Sequence, residues 1–210
     1  MEFDPTAPTT RALRRTVLIV VVLNLAYFFV EIGVAIGIGS VSLFADSVDF
    51  FEDAAVNLLI FVALGWPLAR RAITGKVLAL IILLPALAAL VTAILKFSNP
   101  EAPDPTSLLL TAGGAVLVNS VCAYLLMRFR HDGGSMTKAA WLAARNDVYI
   151  NLAIIAMGVV TLLWVRNGWP DIILGLFIVA LNGRAAFEVW EAATEEHLAA
   201  KALAGDFDDD

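Results

Sequence analysis

Residues 42–69 read SLFADSVDFFEDAAVNLLIFVALGWPLA, and this apolar stretch decides the fold. It is long enough to span a bilayer, yet it contains the carboxylates of Asp46, Asp49, Glu52 and Asp53. A charged group at membrane depth costs between ~2.5 and ~10 kcal/mol, so acids this dense must meet water, protons, a partner cation or a metal ion. The stretch therefore predicts a functional site within a membrane helix.

The composition supports a membrane protein. The chain is 60% hydrophobic and 16% charged, with a mean hydropathy of +0.83, which excludes an ordinary soluble domain. Stretches near the roughly 20 apolar residues that span a bilayer predict an all-α, polytopic bundle of six transmembrane helices. They cover residues 16–38, 42–69, 76–97, 106–129, 139–165 and 169–190.

Basic residues set the predicted orientation. They cluster before the first span and after the second and fourth, whereas the opposite loops are short or acidic, with Lys96 and Arg166 as exceptions. Both termini are therefore expected in the cytoplasm, and the protein in the inner membrane of the cell. The clusters are Arg11, Arg14 and Arg15; Arg70, Arg71 and Lys76; and Arg128, Arg130 and Lys138.

The predicted organisation has three parts. A cytoplasmic segment covers residues 1–15, the transmembrane domain covers 16–190, and a short acidic cytoplasmic tail covers 191–210. No basic stripe indicates nucleic acid as a partner, and no organic cofactor is expected. The expected partners are the lipid bilayer, divalent cations and protons.

Helical spacing brings several of the acids together. On a helix, Asp49 and Asp53 lie one turn apart on one face, with Asp46 nearly in line. Carboxylates at this spacing can both ligate one cation, and a carboxylate from a second helix can complete the site. We therefore predict Asp49, Asp53 and Asp147 as metal ligands. Further ligands or proton-relay groups are predicted at Asp46, Glu31, Asn151 and Asn146.

The same acids predict proton coupling. Crowded carboxylates repel one another, so without metal some of them should hold protons, which a metal ion would displace. Two alternatives stay open. Glu52 lies at the margin of the stripe and could point to a neighbouring helix, and Asp46 could be a structural acid bonded to a ligand residue.

These residues resemble a known family. Asn24-x6-Glu31, followed by GSVSLFADSVDxxxD at residues 39–53, is similar to the first two transmembrane helices of the cation diffusion facilitator family. The runs at 145–151 and 169–176 fit the fifth and sixth helices of that family. The resemblance implies a divalent metal exporter that exchanges metal for protons.

The resemblance also implies a ligand set. In that family a His or Asp and an Asp four residues later in the second helix are joined by the same pair in the fifth helix. The matching positions here are Asp49, Asp53, Ala143 and Asp147, so Ala143 replaces one ligand. Oxygen donors alone favour harder ions, whereas the general affinity order still favours zinc. The substrate is expected to be Zn, Mn, Fe or Co.

A second departure concerns the cytoplasmic end. Members of the family typically carry a ferredoxin-like metal-binding domain there, which helps to hold a dimer together. We expect this chain to be a short form that lacks this domain. Any homodimer would then form through the transmembrane helices.

Three functions follow as hypotheses. The leading one is metal efflux by metal/proton antiport with alternating access, and not an enzyme activity. Because Ala143 replaces a ligand, the chain could instead be a non-transporting metal-binding or accessory membrane subunit. The third is a membrane phosphotransferase that attaches alcohols to diacylglycerol phosphate. Those enzymes follow their aspartates with a Gly and an Ala-Arg pair, whereas Phe50, Phe51 and Ala54 stand here, which argues against it.

Overall fold

The computed structural model describes residues 8–63, 68–130 and 134–204. These ranges form six α-helices and contain no β-strand, so the all-α prediction is confirmed. A π-helical turn at Thr161–Val165 extends the fifth helix. The helices are α1 (Pro8–Ile38), α2 (Val41–Ala63), α3 (Leu68–Lys96), α4 (Pro105–Met127), α5 (Gly134–Val160) and α6 (Trp169–Ala204).

Four helical stretches in the described part of the chain are long and apolar enough to cross a membrane: Arg11–Ile38, Pro105–Met127, Ala140–Trp164 and Trp169–Glu195. The protein is therefore an all-α polytopic integral membrane protein. The acid-bearing α2 is not among these stretches, and in α3 only a shorter apolar stretch, Ala86–Lys96, is found. The count of six spans and the cytoplasmic termini stay predictions.

The helix ends differ from the predicted spans. The first helix begins before its span, and α2 ends at Ala63, with residues 64–67 outside the described part. The last helix continues through Ala204, which includes most of the predicted tail. The length of an apolar stretch predicts only the part of a helix that lies in the hydrocarbon region. The helix itself can continue beyond the bilayer, until its backbone hydrogen bonds end at a cap.

Asp104 shows such a local helix start. It precedes Pro105, the first residue of α4, and its side chain accepts a 2.8 Å hydrogen bond from the Ser107 backbone N–H. This is an N-cap with proline at the first helical position. The hydrogen bonds from Ser107 lower the pKa of the exposed Asp104 carboxyl.

The helices pack in three main pairs, α1 with α2, α4 with α5, and α3 with α6. The second helix also contacts α3, α5 and α6, which places it at the centre of the bundle. One apolar cluster joins the first part of α1 to the end of α4 and the first part of α5, around Val17, Leu126 and Ala144. Another, around Leu43 and Ile154, lies at the opposite end. The acidic part of α2 lies between them along the helix.

Candidate metal site

The second helix carries its acids on one face, as its sequence spacing predicts. Asp46 is fully buried, Asp53 is 7% exposed, and Asp49 and Glu52 are half-buried. Asn57, one turn after Asp53, is also fully buried, and its amide donates to the Asp53 backbone carbonyl at 2.8 Å. Polar side chains therefore follow this face for several turns within the bundle.

Two neighbouring helices add acids to this region. Asp147 of α5 is 9% exposed and interacts electrostatically with Asp49 and Asp53. Glu31 of α1 is fully buried and interacts with Asp46 and Asp49. The structure thus brings acids from α1, α2 and α5 to one shared region.

These acids do not form a closed coordination sphere. Among the described residues, no three His, Cys, Asp or Glu side chains lie close enough together to hold one metal ion. The role of Asp49, Asp53 and Asp147 as metal ligands stays a prediction.

Asn151 connects α5 to α2. Its side-chain nitrogen donates to the Asp46 carboxylate at 3.2 Å and to the Asp147 backbone carbonyl at 3.0 Å. Its side-chain oxygen is buried and has no donor. Because the amide nitrogen is engaged by the carboxylate, the oxygen is the atom left to accept a further partner.

Glu31 and Asp46 are two fully buried carboxyl groups on different helices, α1 and α2, which pack against each other. The two groups interact electrostatically. Neither side-chain oxygen of Glu31 has a hydrogen-bond donor, and one oxygen of Asp46 also lacks one. Ionised carboxylates only accept hydrogen bonds, so the two groups cannot satisfy each other in that form.

The remaining predicted residue, Asn146, lies elsewhere. It is exposed, and its side-chain oxygen accepts a 3.3 Å hydrogen bond from Arg145. The structure does not bring it among the buried acids. Ala143, one turn before Asp147, is half-buried.

Sequence reasoning missed two polar residues of α6. Asn182 is 2% exposed and donates to the Ala45 backbone carbonyl of α2 at 3.0 Å. Asp171 is fully buried and pairs with Lys96 at the end of α3. Two sequence signals could have pointed to Asp171. Two predicted apolar spans each carry a charged residue at one end, Lys96 in one and Asp171 in the other, and Asp171 lies in the run 169–176 that resembles the sixth helix of the family.

Comparison with known families identifies the chain. Residues 71–195 match the family described as Cation efflux transmembrane domain. The match runs from the first turn of α3 into α6 and includes Asp147, Asn151 and Asp171, but not the acids of α2. No curated protein was found to match the chain. The family match spans more than half of the 210 residues and confirms the predicted resemblance, and the chain therefore belongs to the cation efflux family of membrane transporters.

Proposed function

We propose that this cation efflux protein exports a divalent metal ion in exchange for protons, by alternating access. Asp49, Asp53 and Asp147 are the proposed ligands. The single observation that carries the proposal is a group of buried side-chain oxygens without a hydrogen-bond donor. In the region of α1, α2 and α5 they belong to Glu31, Asp46, Asp49, Asn57 and Asn151.

Buried hydrogen-bond acceptors without donors favour a cation or protons as their partner. Buried polar atoms need a hydrogen-bond partner, and buried carboxylates are too costly to remain unpaired. Among the described residues, none of the fully buried polar side chains is a lysine, arginine or histidine. The acids must therefore be neutralised by protons or by a bound cation.

The donor set supports a divalent metal as the cation. Carboxylate and amide oxygens from two or three helices suit divalent ions in a bundle core. With Ala143 in place of a fourth carboxylate, we propose the Asn151 side-chain oxygen or water as the remaining ligand. The substrate would be Zn, Mn, Fe or Co.

The buried carboxyl groups of Glu31 and Asp46 support the proton half of the exchange. Both lie beside the proposed ligands and have oxygens without a donor, so a proton or a cation must neutralise them. Asn151 links Asp46 to the backbone of Asp147. A metal ion at Asp49, Asp53 and Asp147 would lower the proton occupancy of the adjacent pair. Metal entry and proton release would then be coupled by charge alone.

Transport into proteoliposomes tests this proposal. With an acidic interior, the protein should take up Zn²⁺ or Mn²⁺ as protons leave, and Asp53→Asn should slow uptake by about 10-fold or more. Glu195→Gln, which neutralises an exposed acid of α6, is the matched control and should transport like wild type. Equal uptake by Asp53→Asn and wild type would overturn the proposal.

The second candidate is a non-transporting metal-binding or accessory membrane subunit, for which Ala143 is the favouring observation. The same experiment separates the two functions. Protein that binds metal through Asp53 but moves none across the membrane would support the accessory role. A homodimer through the membrane helices and a place in the inner membrane also belong to the proposal.

A further inference from the structure

Asp171 near the start of α6 is the most heavily bonded side chain at this end of the bundle. Its carboxylate accepts five hydrogen bonds and has no exposed surface. One oxygen accepts from the Ser40 hydroxyl at 2.7 Å and from the Ser42 hydroxyl and N–H at 2.6 and 3.1 Å. The other accepts from the Val41 N–H at 2.8 Å and the Lys96 ammonium at 3.1 Å.

The carboxylate of Asp171, which belongs to α6, caps the N-terminus of α2 through these hydrogen bonds. Val41 and Ser42 are its first two residues, whose N–H groups have no partner within the helix. A carboxylate at a helix N-terminus is also stabilised by the helix dipole. Ser40 adds the usual local cap, since its hydroxyl accepts from the Leu43 N–H at 3.2 Å. The start of α2 is therefore fixed by a charge that belongs to α6.

Lys96 brings a third helix to the same point. It is the last residue of α3, and its ammonium donates both to Asp171 and to the Gly39 backbone carbonyl in the turn between α1 and α2. Its side chain is only 13% exposed. Removing either charge would leave the other buried without its partner, which is far more damaging than losing an exposed pair.

Two further contacts of α6 continue along α2. A Cβ added at Gly175 would lie 2.5 Å from a Val41 methyl carbon and 2.9 Å from the Ser42 nitrogen, so the two backbones are in direct contact there. Farther along, the Asn182 amide donates to the Ala45 carbonyl. Ala45 immediately precedes Asp46. The sixth helix thus holds α2 from its first turn to the edge of the acidic face.

The contacts between α6 and α2 hold the helix that carries the acids. A functional constellation must be held to within about 0.5 Å and 10–20° of its working geometry. Asp46, Asp49 and Asp53 lie on one rigid helix, so a shift or rotation of α2 moves all of them relative to Asp147 on α5. We propose that Asp171 and Lys96 are positioning residues that fix the depth and rotation of α2 for metal binding. The inference rests on the proposed function, because it takes the acids of α2 as ligands.

Calorimetric titration of the purified full-length protein with Mn²⁺ or Zn²⁺ tests the inference. Asp171→Asn keeps the shape of the side chain but leaves Lys96 unpaired, and should raise the metal Kd by about 10-fold or more. Lys96→Met combined with Asp171→Asn should bind no more weakly than Asp171→Asn alone, because the two groups act as one unit. Arg184→Gln breaks the exposed Arg184–Glu188 pair on the same helix and should leave the Kd unchanged.

Size-exclusion profile and thermal melting show whether each variant is folded. If Asp171→Asn does not fold, Ser42→Ala and Lys96→Met replace it and should still weaken metal binding. The inference is wrong if folded Asp171→Asn, or both replacements, bind metal within about twofold of wild type while Asp53→Asn has lost binding. Unchanged binding by Asp53→Asn would instead overturn the proposed function, so the two failures are distinguishable.

Discussion

At the scale of single residues, Asn151 illustrates what spacing alone can predict. Its position one turn after Asp147 predicts a shared helix face, and both side chains are buried as expected. The hydrogen bond to Asp46 could not be predicted, because it depends on how α5 packs against α2. Sequence periodicity shows which residues share one face of a helix, but it does not show which residue of a neighbouring helix packs against that face.

Ala143 is the residue at which a single change should strengthen the proposed site. It lies one turn before Asp147 and is half-buried, so Ala143→Asp adds a carboxylate on the same face of α5. A fourth carboxylate would complete the donor set, and we expect the Kd for Mn²⁺ to fall by about 10-fold. Isothermal titration of the purified protein measures this change.

Asn146→Asp supplies the control for added charge. Asn146 is exposed on the same helix, so this variant adds one negative charge away from the buried acids. It should leave the Mn²⁺ affinity near that of wild type. An equal gain from both variants would mean that Ala143→Asp acts through the overall field and not through ligation.

At the scale of helices, α2 shows where sequence reasoning succeeds and where it stops. Its spacing predicts one acidic face, and Asp46 and Asp53 are buried there. What holds the helix in place was not predictable, since Asp171 and Asn182 reach it from α6, far away in the chain. Such contacts follow from the crossing of two helices, which leaves no local pattern in either sequence.

The crossing of α2 and α6 makes Gly175 hard to replace. A Cβ at this position would lie 2.8 Å from the Val41 carbonyl carbon, and a backbone atom cannot move aside as a side-chain end can. Gly175→Ala should therefore push the helices apart and destabilise the protein by about 1–3 kcal/mol. Thermal melting in detergent measures the loss.

Gly183→Ala makes the same chemical change on the same helix without the clash. A Cβ there meets no atom within 4 Å, so alanine should keep or raise the melting temperature by restricting the unfolded chain. If both variants have the melting temperature of wild type, the close contact at Gly175 does not stabilise the bundle.

At the scale of the whole molecule, composition predicts the membrane class, and the family match agrees with it. Hydropathy is a weaker guide to the helices that carry the chemistry. The helix with the acidic face is not among the apolar spans found in the described residues, because its acids make it less apolar. The acids that indicate a functional site therefore also make it harder to identify α2 as a membrane span from hydropathy.

A metal/proton exchanger should bind metal more weakly as the pH falls, and this dependence belongs to the whole acidic group. Protons compete for the carboxylates that ligate the ion, so the metal Kd should rise by about 10-fold per pH unit for each proton displaced. Titrating Mn²⁺ binding between pH 6 and pH 8, a range of about two pH units, gives the number of protons from the slope. Glu31→Gln removes one buried carboxyl group that could release a proton, so the slope should become smaller. A Kd independent of pH in wild type would mean that metal enters without displacing protons, which would leave the antiport without its coupling step.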